Sequence, residues 1–90
     1  MEDLKRLLSD LIAIDSTSTL SNEPIVEYIE HCLEGSSVVC HRISAHETEK
    51  LNLLLTKGEP SSEGLTLCGH MDTVPAIPDK WKSDPWILNE

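Results

Sequence analysis

The chain has 90 residues, 7 of them basic and 16 acidic, for a net charge of −9 with histidines neutral. That length fits one small domain or part of a larger one, since domains typically run to about 100–150 residues. The acidic residues are spread along the chain and no Lys/Arg cluster opposes them, so the surface repels phosphate backbones and anionic lipid; this argues against nucleic-acid and membrane-surface binding.

The opening stretch MEDLKRLLSDLIAI begins with acids and lacks the basic start and unbroken apolar run of a signal peptide. Leu4, Leu7, Leu8, Leu11 and Ile12 recur at the i, i+3, i+4, i+7, i+8 spacing of one helix face, which predicts a first helix over about 2–14. DSTSTLSNEP is dense in short polar side chains that bond to nearby backbone, as in turns and helix starts. A second helix is expected to follow. Ser21 or Asn22 serves as its N-cap, Pro24 sits in its first turn, Ile25, Val26, Ile29 and Leu33 share a face, and Gly35 stops it.

The period then changes. SVVCHRIS, LNLLLTK and GLTLCGH are short runs rich in Val, Ile, Leu and Thr, which predicts strands near 37–43, 51–57 and 65–69. GEPSSEG is short enough for a tight, hairpin-like connection between the last two. The near-continuous apolar character of LNLLL and LTLCG suggests strands covered on both faces. Two helices followed by about three such strands describe a layered α/β unit. VPAIPDKWKSDPW has three prolines and no helical period; its two tryptophans, Trp81 and Trp86, are poor choices for a free tail and point to a loop pinned on the domain. No run approaches the roughly 20 apolar residues of a membrane span. Three cysteines without a CxxC pair read as reduced thiols in a cytoplasmic protein.

The chemistry concentrates in LCGHMDTVP, residues 67–75. Side chains alternate along an extended segment, so His70 and Asp72 point to the same side at a strand's C-terminal end, where ligands bind in open α/β sheets. A metal-bound imidazole commonly donates its other N–H to a carboxylate, so the pair could supply one ligand and the group that aims it. One imidazole is not a metal site, because zinc takes three or four protein ligands. His31-Cys32 and Cys40-His41 fall on a predicted helix and strand without ligand loops, and HETE (46–49) lacks the second histidine of HExxH; packing or solvated residues is the expected reading for all of these.

The order of these features resembles the acetylornithine deacetylase / succinyl-diaminopimelate desuccinylase family of dinuclear zinc hydrolases, which includes aminoacylases and glutamate carboxypeptidases. The resemblance runs through the first helix into IDSTST, the second helix closing at EG, LNLLLT with Asn52, and above all GHMDTVP followed by WKSDPW. It implies the N-terminal part of a layered zinc-peptidase-like catalytic domain. It implies that His70 ligates one of two zinc or cobalt ions and that Asp72 holds that imidazole in its catalytic role. The implied chemistry is hydrolysis of an N-acyl or peptide amide next to a free carboxylate, by a metal-bridging water that a glutamate deprotonates. The implied substrate is a small N-acylated amino acid or peptide, and a second, smaller domain would make a homodimer.

Residues 1–90 reach only the family's tryptophan loop. The bridging aspartate, the Glu-Glu pair, a further acidic ligand and a distal histidine have no counterpart here. The expectation is therefore an incomplete N-terminal segment, without the dimerisation domain and the rest of the catalytic domain. As a 90-residue chain it would be inactive and bind at most one metal ion weakly. The alternative is a non-catalytic binding module that associates with a full-length homologue.

Overall fold

A computed structural model describes residues 2–44, 50–61 and 63–90. Helix α1 spans Glu2–Ala13 and helix α2 spans Glu23–Cys32. Strands β1, Val39–Ser44, and β2, Leu51–Thr56, form a two-stranded antiparallel sheet with Val39 opposite Thr56 and Ser44 opposite Leu51. A single 3-10 turn, Pro78–Lys80, follows in the C-terminal loop. The class is a small mixed α/β unit, with both helices within a residue or two of their predicted bounds.

The apolar stripe of α1 is used unevenly. Leu4, Leu7 and Leu8 remain exposed, whereas Leu11 and Ile12 near the helix end are half-buried against the rest of the chain. The core sits where the end of α1 meets the start of α2. Ile25 and Val26 are its buried apolar members, and Ser16, Thr17 and Asn22 are buried beside them. Tyr28 ties the two helices by donating its hydroxyl to Asp10 Oδ2 at 2.8 Å. That bond first, then burial and the neighbouring Cys32 thiol, push the phenol well above its ordinary pKa. Gly35, at φ +76°, takes the left-handed conformation that turns the chain out of α2.

Asn22 precedes α2, yet its side chain makes no capping bond. Its amide instead pairs with the backbone of Leu51: Nδ2 donates to the Leu51 carbonyl at 2.8 Å, and Oδ1 accepts from the Leu51 N–H at 2.8 Å. Ser21 Oγ accepts the Glu23 N–H at 3.2 Å in its place. The Asn22 pair mimics a rung of sheet and locks the start of α2 to the start of β2. Lys50 Nζ donates to the Leu20 carbonyl alongside it. At the other side Arg42 on β1 clamps Glu30 on α2, with Nε to both carboxylate oxygens at 3.1 and 3.0 Å and Nη2 to Oε1 at 2.5 Å. These bonds hold the Glu30 carboxyl below the usual carboxylate range.

The third strand does not form. Residues 64–69 are without assigned secondary structure, and no hydrogen bond joins them to β1 or β2. A strand exists only where a neighbour takes its backbone groups, and none of the described residues lies in that position. Leu65 and Leu67 are accordingly 87% and 86% exposed. GEPSSEG therefore links β2 to an unpaired segment and makes no hairpin; the hairpin is β1–β2. Coverage on both faces is also absent. Leu51 and Leu53 are half-buried, on the side where α2 lies against β2, while Leu54 and Leu55 are exposed.

Candidate metal-ligand corner and its cavity

The loop carrying His70 is held by the turn after α1. Asp15 Oδ1 accepts from both the Thr17 N–H at 3.1 Å and the Thr17 hydroxyl at 2.5 Å, folding DSTST back on itself. This turn presents the Ser16 carbonyl and the Ser18 N–H to Thr73, which donates to the first at 3.0 Å and accepts from the second at 2.8 Å. The result is an isolated parallel bridge between Thr17 and Thr73. Burial of Ser16 and Thr17 keeps water from competing for these bonds. The density of Ser, Thr and Asp in DSTST signals local bonding; which distant backbone the turn grips is not local information.

The anchor at Thr73 fixes the residues before it. His70 Nδ1 lies 2.8 Å from the Asp72 carbonyl and 3.2 Å from Asp72 Oδ1. Both neighbours are acceptors, so the geometry selects the tautomer with the proton on Nδ1, in which the lone pair lies on Nε2. No hydrogen bond engages Nε2 among the described residues, and the imidazole is 84% exposed. The two residues singled out by the HMD spacing therefore meet, in the orientation of a ligand aimed by a carboxylate.

The other candidates do not join them. His31 pairs with Glu34 Oε2 at 3.5 Å on the solvent side of α2, Cys40 and His41 lie on β1, and HETE (46–49) falls outside the described residues. No group of three or more His, Cys, Asp and Glu side chains that could hold a metal ion occurs among the described residues. The donor set that is present amounts to one imidazole and its supporting carboxylate.

Beside this corner lies a cavity of about 490 Å³. Leu11 and Ile14 wall it from α1 and the turn after it, Ile25 and Ile29 from α2, and Trp81 and Trp86 from the proline-rich loop. His70 and Met71 also line it. The loop is shaped by Asp84, whose Oδ1 accepts the Trp86 N–H at 2.9 Å, and by the Trp81 N–H bonding to the Pro78 carbonyl at 3.0 Å. Trp86 is half-buried and Trp81 is 54% exposed, so the loop is pinned but its tryptophans are only partly covered.

Over 79 residues, 87% of its length, the chain is 38% identical to the acetylornithine deacetylase of Proteus mirabilis (strain HI4320), of which it covers 20%. The acetylornithine deacetylase of Myxococcus xanthus is 35% identical over 77 residues, 80% of this chain and 20% of that protein. That of Pasteurella multocida (strain Pm70) is 34% identical over 92 residues, 94% of this chain and 24% of that protein. The chain is a distant homologue of the acetylornithine deacetylases. It spans about a fifth of the length of the curated deacetylases it matches. No family model matches the chain, and no solved structure matches it. Among the described residues no helix is long and apolar enough to cross a membrane.

Proposed function

We propose that this chain supplies the His70 corner of a metal-dependent amidohydrolase that cleaves an N-acyl or peptide amide next to a free carboxylate. The observation that supports it is the His70–Asp72 pair, with Nδ1 held by Asp72 and Nε2 left open, in a homologue of acetylornithine deacetylases. Asp72 keeps the Nδ1 proton in place, which directs the Nε2 lone pair outward and fixes the ring. Asp15 and Ser16 hold the loop through Thr73. A zinc or cobalt ion, when bound, supplies Lewis acidity and an activated water. The N-terminal place of this segment in the hydrolase is part of the proposal, as are a substrate of the N-acetylornithine type and the homodimer. So is the supply of the remaining ligands, a second metal position and the general base by polypeptide beyond the segment matched here.

A chimera tests the reading: the P. mirabilis enzyme with its matching 79 residues replaced by those of this chain is expected to deacylate N-acetylornithine, and His70→Ala in it to abolish turnover and metal retention. Full metal retention in the His70→Ala chimera would overturn the role of His70. For the isolated chain, weak zinc binding that disappears in His70→Ala is expected. Stoichiometric submicromolar binding, or amide turnover by the isolated chain, would overturn the need for further ligands.

The exposed Leu65 and Leu67 favour one second reading, a binding module that docks on a full-length homologue through the unpaired 64–69 segment. Capture of the P. mirabilis deacetylase by the chain, lost in Leu67→Asp, would favour it; a monomer that captures nothing would count against it.

A further inference from the structure

Thr73 meets the turn after α1 through its peptide unit, and that same unit faces His70. The Thr73 N–H donates to the Ser16 carbonyl at 3.0 Å, and the Asp72 carbonyl lies 2.8 Å from His70 Nδ1. These two groups belong to one planar trans peptide, so they point in opposite directions and cannot turn independently. Whatever fixes the N–H therefore fixes the direction of the carbonyl. An N–H that is itself bonded also polarises its carbonyl into a stronger acceptor. At Nδ1 the Asp72 carbonyl is the nearer group, with Asp72 Oδ1 at 3.2 Å.

We infer that the peptide unit joining Asp72 and Thr73 aims the His70 ring, and that Asp15, acting through Thr17 and Ser16, is the positioning residue that holds this unit in place. Asp15 Oδ1 accepts the N–H and the hydroxyl of Thr17, at 3.1 and 2.5 Å, and so sets the turn from which the Ser16 carbonyl and the Ser18 N–H reach Thr73. Ser16 and Thr17 are 4% and 7% exposed, whereas Asp15 is at the surface. Truncating Asp15 thus leaves Ile25 and Val26 untouched but takes the acceptor from two groups of a buried residue. The turn then loosens, the Ser16 carbonyl leaves the Thr73 N–H, and the Asp72 carbonyl swings off Nδ1. For the use made of Nε2 this rests on the amidohydrolase reading; the aiming itself needs no metal.

Nitrogen-15 NMR of the His70 ring in the metal-free chain reads the tautomer directly, at about pH 8.5, roughly two units above the ordinary imidazole pKa. The signal is identified by its absence in His70→Ala. The natural chain is expected to hold mainly the Nδ1–H form. Asp15→Ala should lower the ratio of Nδ1–H to Nε2–H about fivefold, the equivalent of one net hydrogen bond, while the circular dichroism of α1 and α2 is retained. Asp15→Asn keeps an acceptor oxygen in the same place and should restore the natural ratio. Thr17→Val removes only the hydroxyl donor; it should shift the ratio the same way by a smaller factor, and it decides the matter if Asp15→Ala does not fold. An unchanged ratio in folded Asp15→Ala, or in Thr17→Val where that variant decides, would overturn the inference, as would Asp15→Asn behaving like Asp15→Ala. Zinc binding and chimera turnover test the amidohydrolase reading alone, because the tautomer is measured without metal.

Discussion

Replacing Asn22 by Ala removes both hydrogen bonds to Leu51, each 2.8 Å long, from a residue that is 7% exposed. Each bond is worth about 1 kcal/mol net, and the stranded Leu51 N–H and carbonyl add part of their desolvation cost, so the loss is about 2–3 kcal/mol. A folded chain of this length has on the order of 5–13 kcal/mol in total. With Ile25 and Val26 as the buried apolar core among the described residues, the lower end applies. The substitution should therefore consume about half of the stability. In urea unfolding followed by circular dichroism, the midpoint should fall by roughly 1–2 M at unchanged slope, and the Leu51 amide should exchange faster. Ser21→Ala is the control, since Ser21 Oγ accepts only the Glu23 N–H, at 3.2 Å and in an exposed place. If Asn22→Ala costs no more than Ser21→Ala, the helix–strand lock does not exist and Asn22 acts as an ordinary helix start.

Thr73→Pro deletes the N–H that bonds to the Ser16 carbonyl; the His70–Asp72 contact should loosen, seen as loss of a distinct His70 ring environment by NMR, while α1 and α2 persist. The Glu30 carboxyl is held below its unfolded pKa, so its contribution is present above that value and is lost as pH falls through the folded one; the stability gap between the natural chain and Arg42→Met should close in acid. The Tyr28 phenol is held above its unfolded value of 10.0, so its contribution is complete below that pH and is lost as pH rises through the folded value. Tyr28→Phe should be less stable at neutral pH and should lack that alkaline loss in urea titrations. Leu65→Asp and Leu67→Asp should leave the urea midpoint nearly unchanged, because both side chains already face solvent, and should reduce self-association in sedimentation.

Both helices were legible because their signals are local: apolar residues three and four apart, Pro24 in a first turn, Gly35 at a stop. The HMD spacing likewise placed His70 and Asp72 on one side of an extended segment, where the structure joins them. Leu65 and Leu67 show the limit of the same reasoning. Their run has the composition of a buried strand, but pairing depends on a neighbour, and composition does not say whether one is within reach. Asn22 shows a second limit. A side chain that looks like a helix cap from its neighbours in sequence is spent 29 residues away on Leu51.

Sequence by itself determined the elements with short-range causes, the acidic character of the surface, and the kinship with acetylornithine deacetylases, since all of these reside in residue order. Only the tertiary structure decided what grips what. It set Asp15, Ser16 and Thr17 beneath the His70 loop, gave Asn22 to Leu51, left 64–69 without a partner, and shaped a half-open, largely apolar hollow between two helices and the tryptophan loop. Each of those depends on backbone groups far apart in the chain coming within hydrogen-bonding or packing distance, a condition that no local pattern of side chains encodes.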